Sequence, residues 1–310
     1  MKDDALPIIR SLLFAPANEA RKTRRLANSG ADAIVLDLED AVADSEKMSA
    51  RADAVGALAS IDGPLRCVRV NPISTPFGAG DIAAVVCSDL HAIVLPKVEH
   101  NRDLEIVCDL IVAAERAAGI AEGAIGLIPL VETTRGVSKA TDILASQDRI
   151  LNVALGTGDL GTDLALSTIR GDLSSALHYG RARFVYDARA NGHHGITDGP
   201  HLNVRDLEDL RADCLKGREL GFTGKVCIHP DQVPIANEVF SPDSKDVAFA
   251  REVVTAFEAA ERDRSAAIEV SGVFIDYPIL YKARRILALA DRIADQNSRR
   301  RDDKGGNKHG

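Results

Sequence analysis

The chain has 310 residues, a formal net charge of -8 and a pI near 5.5, with 45% hydrophobic and 27% charged residues. This is a globular composition with room for a sizeable core, and the absence of a clustered basic face argues against nucleic acid as a partner. No apolar run approaches the roughly 18 residues that a membrane span requires, so no membrane association is expected.

The N-terminal stretch MKDDALPIIRSLLF places acids ahead of its apolar run and lacks a small-residue cleavage site, so a cytoplasmic location is expected rather than export. Short apolar runs then alternate with helical stretches. The runs are residues 8–14, 33–38, 66–70, 92–95, 125–131 and 150–155, a weak run near Ile196, and 225–228, eight candidate strands in all. Helical spacing marks residues 20–29, 45–59, 103–118 and 206–220, and 136–147 has the length of one crossover helix. This alternation predicts a (β/α)8 TIM barrel, with its active site at the carboxyl ends of the strands. A doubly wound sheet would want a Gly-rich phosphate turn after the first strand, which Phe14-Ala-Pro-Ala-Asn18 does not supply. Cys67, Cys87, Cys108, Cys214 and Cys227 lack CxxC spacing and read as buried thiols in a reducing compartment.

Beyond the barrel, residues 241–262 form a helical segment capped by Ser241 or Asp243, followed by an apolar stretch at 270–275 and a further helix opened by Asp276. The expected organisation is a catalytic barrel over 1–240, a C-terminal helical arm over 241–295, and a disordered polar tail over 296–310 that holds Arg299 to Arg301.

Reading only the strand ends collects Asn18, Asp37, Glu39, Asp40, Arg69, Asn71, Lys97, Glu132, Asp159, Asp198 and His229, which a barrel would bring to one mouth. Taken singly each has a plainer role: Arg69 as an ion-pair partner of Glu39, His229 as a hydrogen-bonded turn residue, Lys97 as a solvated end. Glu132 and Asp159 end neighbouring strands with few basic residues beside them. Two such carboxylates suit a hard cation such as Mg2+, although the usual role of such an acid is to cap the helix that follows. Gly156-Thr157-Gly158 is too short for a nucleotide fingerprint and reads as a place of close backbone approach to a ligand carboxylate.

The motifs RSLLFAPAN (10–18), GADAIVLDLEDAV (30–42), VRVNP (68–72), VLPKVE (94–99), IPLVETTRGV (128–137), ALGTGDLGTDLAL (154–166) and GFTGKVCIHPDQVPIANEVFSP (221–242) occur in this order. Together they resemble the citrate lyase β-subunit-like branch of the HpcH/HpaI aldolase family. The resemblance implies a TIM barrel, usually a homotrimer, that uses Mg2+ to make or break a carbon–carbon bond in a 3-hydroxyacyl-CoA thioester such as citramalyl-CoA, malyl-CoA or citryl-CoA. The products would be a 2-oxo acid and an acyl-CoA. It further implies Glu132 and Asp159 as metal ligands, Arg69 as the substrate and enolate-binding arginine, and Phe14, Arg25, Ile228 and His229 as contacts to the CoA portion. Asp276, in IDYP, matches a catalytic acid delivered by the arm of a neighbouring subunit. Two positions depart from the family pattern: Gly158 stands where many relatives have an acid, and Asn18-Glu19 where a Gly and a basic residue are common. Rival readings are a malyl-CoA-type thioesterase and the β subunit of a citrate lyase complex.

Overall fold

The computed structural model describes residues 6–145, 147–167, 174–263 and 265–306. Eight parallel strands close into a barrel in chain order: β1 (Ser11–Pro16), β2 (Ala33–Asp37), β3 (Leu65–Arg69), β4 (Ala92–Leu95), β5 (Gly126–Val131), β6 (Val153–Leu155), β7 (Ile196–Asp198) and β8 (Gly224–Cys227). All eight predicted strands are present, and the pairing of β1 with β8 closes the ring. The architecture is the expected TIM barrel.

The strands are apolar on both faces because both are covered. Leu12, Ala33, Val35, Cys67, Ala92, Val94, Ile128, Leu130 and Ala154 form one buried cluster, the filling of the barrel. Their neighbours Leu13, Ile34, Leu36, Val68, Ile93, Leu127, Val153 and Ile196 belong to a second cluster shared with helical residues such as Leu58, Ile82, Leu104, Phe184 and Leu210. This step of two residues assigns every strand position to the inside or to the helix layer. Each fully buried aliphatic side chain contributes about 1.5–3 kcal/mol.

The surrounding helices are α1 (Ala20–Leu26), α2 (Lys47–Leu58), α3 (Gly78–Val85), α4 (Asn101–Ala117), α5 (Thr134–Ser138), α6 (Ala140–Leu144), α7 (Thr157–Asp163), α8 (Ser174–Ala190), α9 (Leu207–Leu220) and α10 (Val233–Val239). The single crossover helix expected over 136–147 is instead the pair α5 and α6, and Ser146 lies outside the described residues. The break has a cause in a cap and a close tertiary approach. Thr133 Oγ1 caps α5 by accepting from Gly136 N at 3.0 Å, and a Cβ on Gly136 would come within 2.6 Å of Val98 O. With that end pinned, the amide of Lys139 is shared between Arg135 O and Gly136 O, both at 3.2 Å, and the turn tightens there.

Residues from Ser241 onward form a second compact unit. Here α11 (Ser244–Arg262) is capped by Asp243, whose Oδ1 accepts from Lys245 N at 2.7 Å, and not by Ser241. The strands β9 (Ile268–Val270) and β10 (Val273–Ile275) make an antiparallel hairpin across Ser271 and Gly272, whose φ of 50° and 81° are what a two-residue primed turn demands. Phe257, Val270, Ile275 and Leu280 pack as its core. The long helix α12 (Tyr277–Gly306) runs through most of the tail expected to be disordered. Residues 283–300 contain no Gly or Pro and are rich in Ala, Leu and Arg, strong helix formers, so propagation continues until the glycines at 305 and 306. Residues 307–310 of that tail lie outside the described residues. No described helix is long and apolar enough to cross a membrane.

Candidate active site

The inward series of the barrel does not stop at its apolar layer. Phe14, Asp37, Arg69 and Glu132 each stand two residues beyond Leu12, Val35, Cys67 and Leu130, on the same face and one step nearer the carboxyl mouth. There they line a cavity of about 390 Å³ together with Asp159 from the first turn of α7 and Ile228 just past β8.

Arg69 is held on three sides. Its Nε and Nη2 donate to Asp37 Oδ1 and Oδ2 at 2.7 and 2.6 Å, the parallel geometry that suits a guanidinium and a carboxylate. Its Nη1 lies 3.0 Å from Glu39 Oε2, and the guanidinium sits 5.3 Å above the Phe14 ring. Burial works against its charge, but Asp37, Glu39 and Glu132 outweigh that and raise its pKa. Nε and Nη2 are thus hydrogen-bonded to Asp37, while Nη1 is ion-paired with Glu39 and, at 3.6 Å, with Asp40. The sequence pointed to Glu39 as its partner; the principal partner is Asp37.

Glu132 is 2% exposed, and its Oε1 accepts from the backbone N of Lys97 at 3.0 Å. Lys97 adopts a left-handed φ of 52°, and its Nζ reaches Glu39 Oε1 at 2.5 Å and Asp40 Oδ1 at 3.4 Å. It is thus tied into the site, not a solvated end. Burial pushes the Glu132 carboxyl well above the usual carboxylate range, the charges of Asp159 and Glu39 push it the same way, and Arg69 opposes them. Gly156 is required here, since a Cβ at that position would lie 2.4 Å from Glu132 Oε2.

Neither acid caps a helix through its side chain: Thr133 caps α5, and α7 begins at Gly156 with no side-chain cap. Among the described residues no group of three or more His, Cys, Asp or Glu is placed to hold a metal. What the mouth offers is a pair of carboxylates with uncompensated negative charge. That fits a hard divalent cation that takes one or two carboxylates and keeps several waters, and such an ion would relieve the repulsion that raises Glu132.

The other predicted residues separate. Ile228 lines the cavity and is 39% exposed. His229 beside it accepts from Asp231 N at 3.3 Å through Nδ1, as a turn residue does. Arg25 is exposed on α1 and is not among the residues lining the cavity. Asp276 belongs to the second unit, where its Oδ1 accepts from Ile279 N at 3.4 Å at the start of α12. Asn71 donates to Leu38 O and Asp81 Oδ2 and so ties α3 to β2. Asp198 does not join the mouth. It shares the outward face of β7 with Ile196, and there it pairs with Arg181 and Lys225 against α8 and α9. Sequence reasoning did not single out Gln232, although His229-x-x-Gln232 has the spacing of a capping box and forms one.

The family model for the HpcH/HpaI aldolase/citrate lyase family matches residues 10–230. The chain is 38% identical over 289 residues to a (3S)-malyl-CoA thioesterase of Cereibacter sphaeroides, covering 92% of this chain and 95% of that protein. It is 32% identical over 307 residues to an L-malyl-CoA/beta-methylmalyl-CoA lyase of the same species, again covering 92% and 95%. Among solved structures, the protein CitE of Mycobacterium tuberculosis in complex with magnesium, acetoacetate and coenzyme A is similar with a TM-score of 0.73 at 29% identity. That similarity covers 93% of this chain and 99% of that one.

Proposed function

Because the chain belongs to the HpcH/HpaI aldolase/citrate lyase family, we propose that it is a cytoplasmic, Mg2+-dependent carbon–carbon lyase. It cleaves or forms a 3-hydroxyacyl-CoA thioester of the citramalyl-, malyl- or citryl-CoA kind, with a 2-oxo acid and an acyl-CoA as the partners of the reaction. The observation that carries this reading is the mouth itself, where the surplus-charged pair Glu132 and Asp159 faces the same cavity as Arg69 and the apolar wall of Phe14 and Ile228. A solved relative described with magnesium, acetoacetate and coenzyme A supports the same assignment.

Glu132 and Asp159 would hold Mg2+, which when bound supplies Lewis acidity to the oxygens of the 2-oxo acid. Arg69, fixed by Asp37, presents its guanidinium to the negative charge that develops on the thioester enolate, and needs no reorganisation to do so. Phe14, Ile228, His229 and, from α1, Arg25 hold the CoA portion. Asp276 protonates the enolate in the cleavage direction and takes the α-proton in the other. It does so from the C-terminal arm of a neighbouring subunit in a homotrimer. Asp276→Asn should then lose on the order of 10² to 10⁴ in turnover. Mixing it with Glu132→Gln under subunit exchange should restore part of the activity; no regain would show that the arm serves its own barrel or none.

Hydrolysis is the second reading, favoured by the 38% identity to a thioesterase. The test is a product assay with malyl-, citramalyl-, citryl- and β-methylmalyl-CoA, with and without Mg2+. A 2-oxo acid released without free thiol is the expected result. Free thiol without a 2-oxo acid would decide for hydrolysis, and no turnover of any thioester would sink both readings.

A further inference from the structure

Gln232, on the one-turn segment Pro230–Gln232 after β8, is 1% exposed, and every polar atom of its amide is used. Its Oε1 accepts from Ile228 N at 2.8 Å and from His229 N at 3.2 Å, while its Nε2 donates to His201 O at 2.9 Å. The first two bonds fix the turn that carries Ile228. The third fastens that turn to the loop after β7, where Pro200 stands. Pro200 and Ile228 both line the cavity. Only a side chain that accepts and donates at once can make this clasp, which a carboxylate or an ammonium cannot.

We propose that Gln232 is a positioning residue for the thioester side of the cavity, joining two separate loops into one wall. The proposal rests on the CoA-thioester reading above. It also specifies what the wall recognises. With the amides of Ile228 and His229 both consumed by Gln232, the turn offers a ligand no backbone N–H for a phosphate. It offers the half-exposed Ile228 side chain and the His229 ring, whose Nδ1 accepts from Asp231 N and which therefore carries its neutral-state proton on Nε2 as a donor. An apolar surface beside a single N–H donor suits the amide-bearing arm of the thioester. Glu132 and Asp159 take no part in the hydrogen bonds of this clasp, so the metal side and the thioester side of the cavity should respond independently.

The experiment compares Gln232→Leu and Gln232→Glu in the full-length protein, by steady-state kinetics on the thioester that the wild type turns over, and by calorimetric titration with coenzyme A and, separately, Mg2+. Gln232→Leu removes all three bonds. KM for the thioester and Kd for coenzyme A should each rise about tenfold, the equivalent of one or two net hydrogen bonds, with kcat at saturation and Mg2+ affinity close to wild type. Gln232→Glu keeps the two bonds to Ile228 and His229 and sets a second acceptor against His201 O, so its rise should be smaller but measurable. Unchanged KM and Kd in either folded variant would overturn the proposal. So would a joint loss of kcat and Mg2+ affinity, which marks general damage to the barrel. Should Gln232→Leu not fold, the Glu variant decides alone. Wild-type protein that binds no coenzyme A would overturn the functional reading and this one with it, whereas wild-type binding with unaffected variants overturns this one only.

Discussion

Two clusters of charge stand on the same barrel, and they are built to opposite rules. In the helix layer, Arg181 and Lys225 face Asp198 and Asp213, two bases against two acids, with Lys225 Nζ 2.7 Å from Asp198 Oδ2 and 2.5 Å from Asp213 Oδ2. Burial works against the Lys225 charge, yet the two carboxylates overcome it and raise its pKa. At the mouth, Asp37, Glu39, Asp40, Glu132 and Asp159 gather around Arg69 and Lys97, five acids against two bases. The sealed cluster closes its own ledger of charge; the open one keeps a surplus, and burial raises both Glu132 and Glu39 there, with Asp159 and Glu39 adding to the rise at Glu132 while Arg69 and Lys97 oppose it at Glu39. A balanced cluster has no need of a ligand, and an unbalanced one beside a cavity does.

The largest effect should come from unbalancing the sealed cluster. Lys225→Met leaves the buried Asp198 and the half-buried Asp213 to share Arg181, and breaking a buried pair such as Lys225–Asp198 costs roughly 3–5 kcal/mol. Denaturant unfolding should show that loss, while Mg2+ affinity and KM stay as they were. A loss below about 1 kcal/mol would mean that water already reaches the cluster, since exposed pairs contribute no more than that.

The same residues show how far the sequence could be followed. The short apolar runs announced all eight strands, because strands buried on both faces have few other patterns open to them. Strand ends then located Asp37, Arg69, Glu132 and Asp159. Asp198 was misplaced for a physical reason: β7 is three residues long, too short to display the alternation that sends Asp198 outward with Ile196. The break between α5 and α6 depends on the approach of Gly136 to Val98 O, a tertiary contact that no local pattern encodes. The left-handed backbone of Lys97 is equally invisible, since nothing in Pro96-Lys97-Val98 asks for positive φ as a glycine would.

Next in size is the opposite operation, relieving the surplus at the mouth. Glu132→Gln should weaken Mg2+ binding by at least about 100-fold, and turnover with it, because even partners that only orient a metal ligand are worth 10–100-fold. Stability should not fall, for the variant removes a charge that burial disfavours. The pH dependence has a definite sign. A carboxyl whose folded pKa lies above its unfolded value favours folding while protonated, so the metal-free wild type loses that contribution as pH rises through the elevated value. Mg2+ binding must then expel the proton. Calorimetry in buffers of different ionisation enthalpy, at mildly acidic pH, should report proton release in the wild type and much less in Glu132→Gln. Equal release in both would place the proton elsewhere.

Arg69→Lys keeps the count of five acids to two bases and changes only geometry. An ammonium cannot form the two parallel bonds to Asp37 while also reaching Glu39, so the cation should swing and turnover fall by about tenfold or more, with Mg2+ affinity little altered. Wild-type kinetics would mean that charge alone matters at this position.

The smallest expected effect separates charge from backbone at Lys97. Lys97→Ala and Lys97→Gly both delete the contacts to Glu39 and Asp40, moving the mouth to five acids against one base. Both should therefore bind Mg2+ somewhat more tightly than wild type, a modest gain because this side chain is 35% exposed and solvent screens it. The two variants differ in the backbone. At φ of 52° a Cβ crowds the chain and costs roughly 1 kcal/mol, a strain that alanine retains and glycine lacks. Glycine in turn gives the unfolded chain more freedom, which offsets part of that gain. The glycine variant should thus equal or exceed the alanine variant in stability, whereas at an ordinary exposed position glycine would be the less stable by 0.4–1 kcal/mol. Should alanine prove the more stable by that ordinary margin, the left-handed turn carries no strain. The amide that reaches Glu132 would then be held there at no cost, and the surplus of acid alone would distinguish the mouth from the sealed cluster.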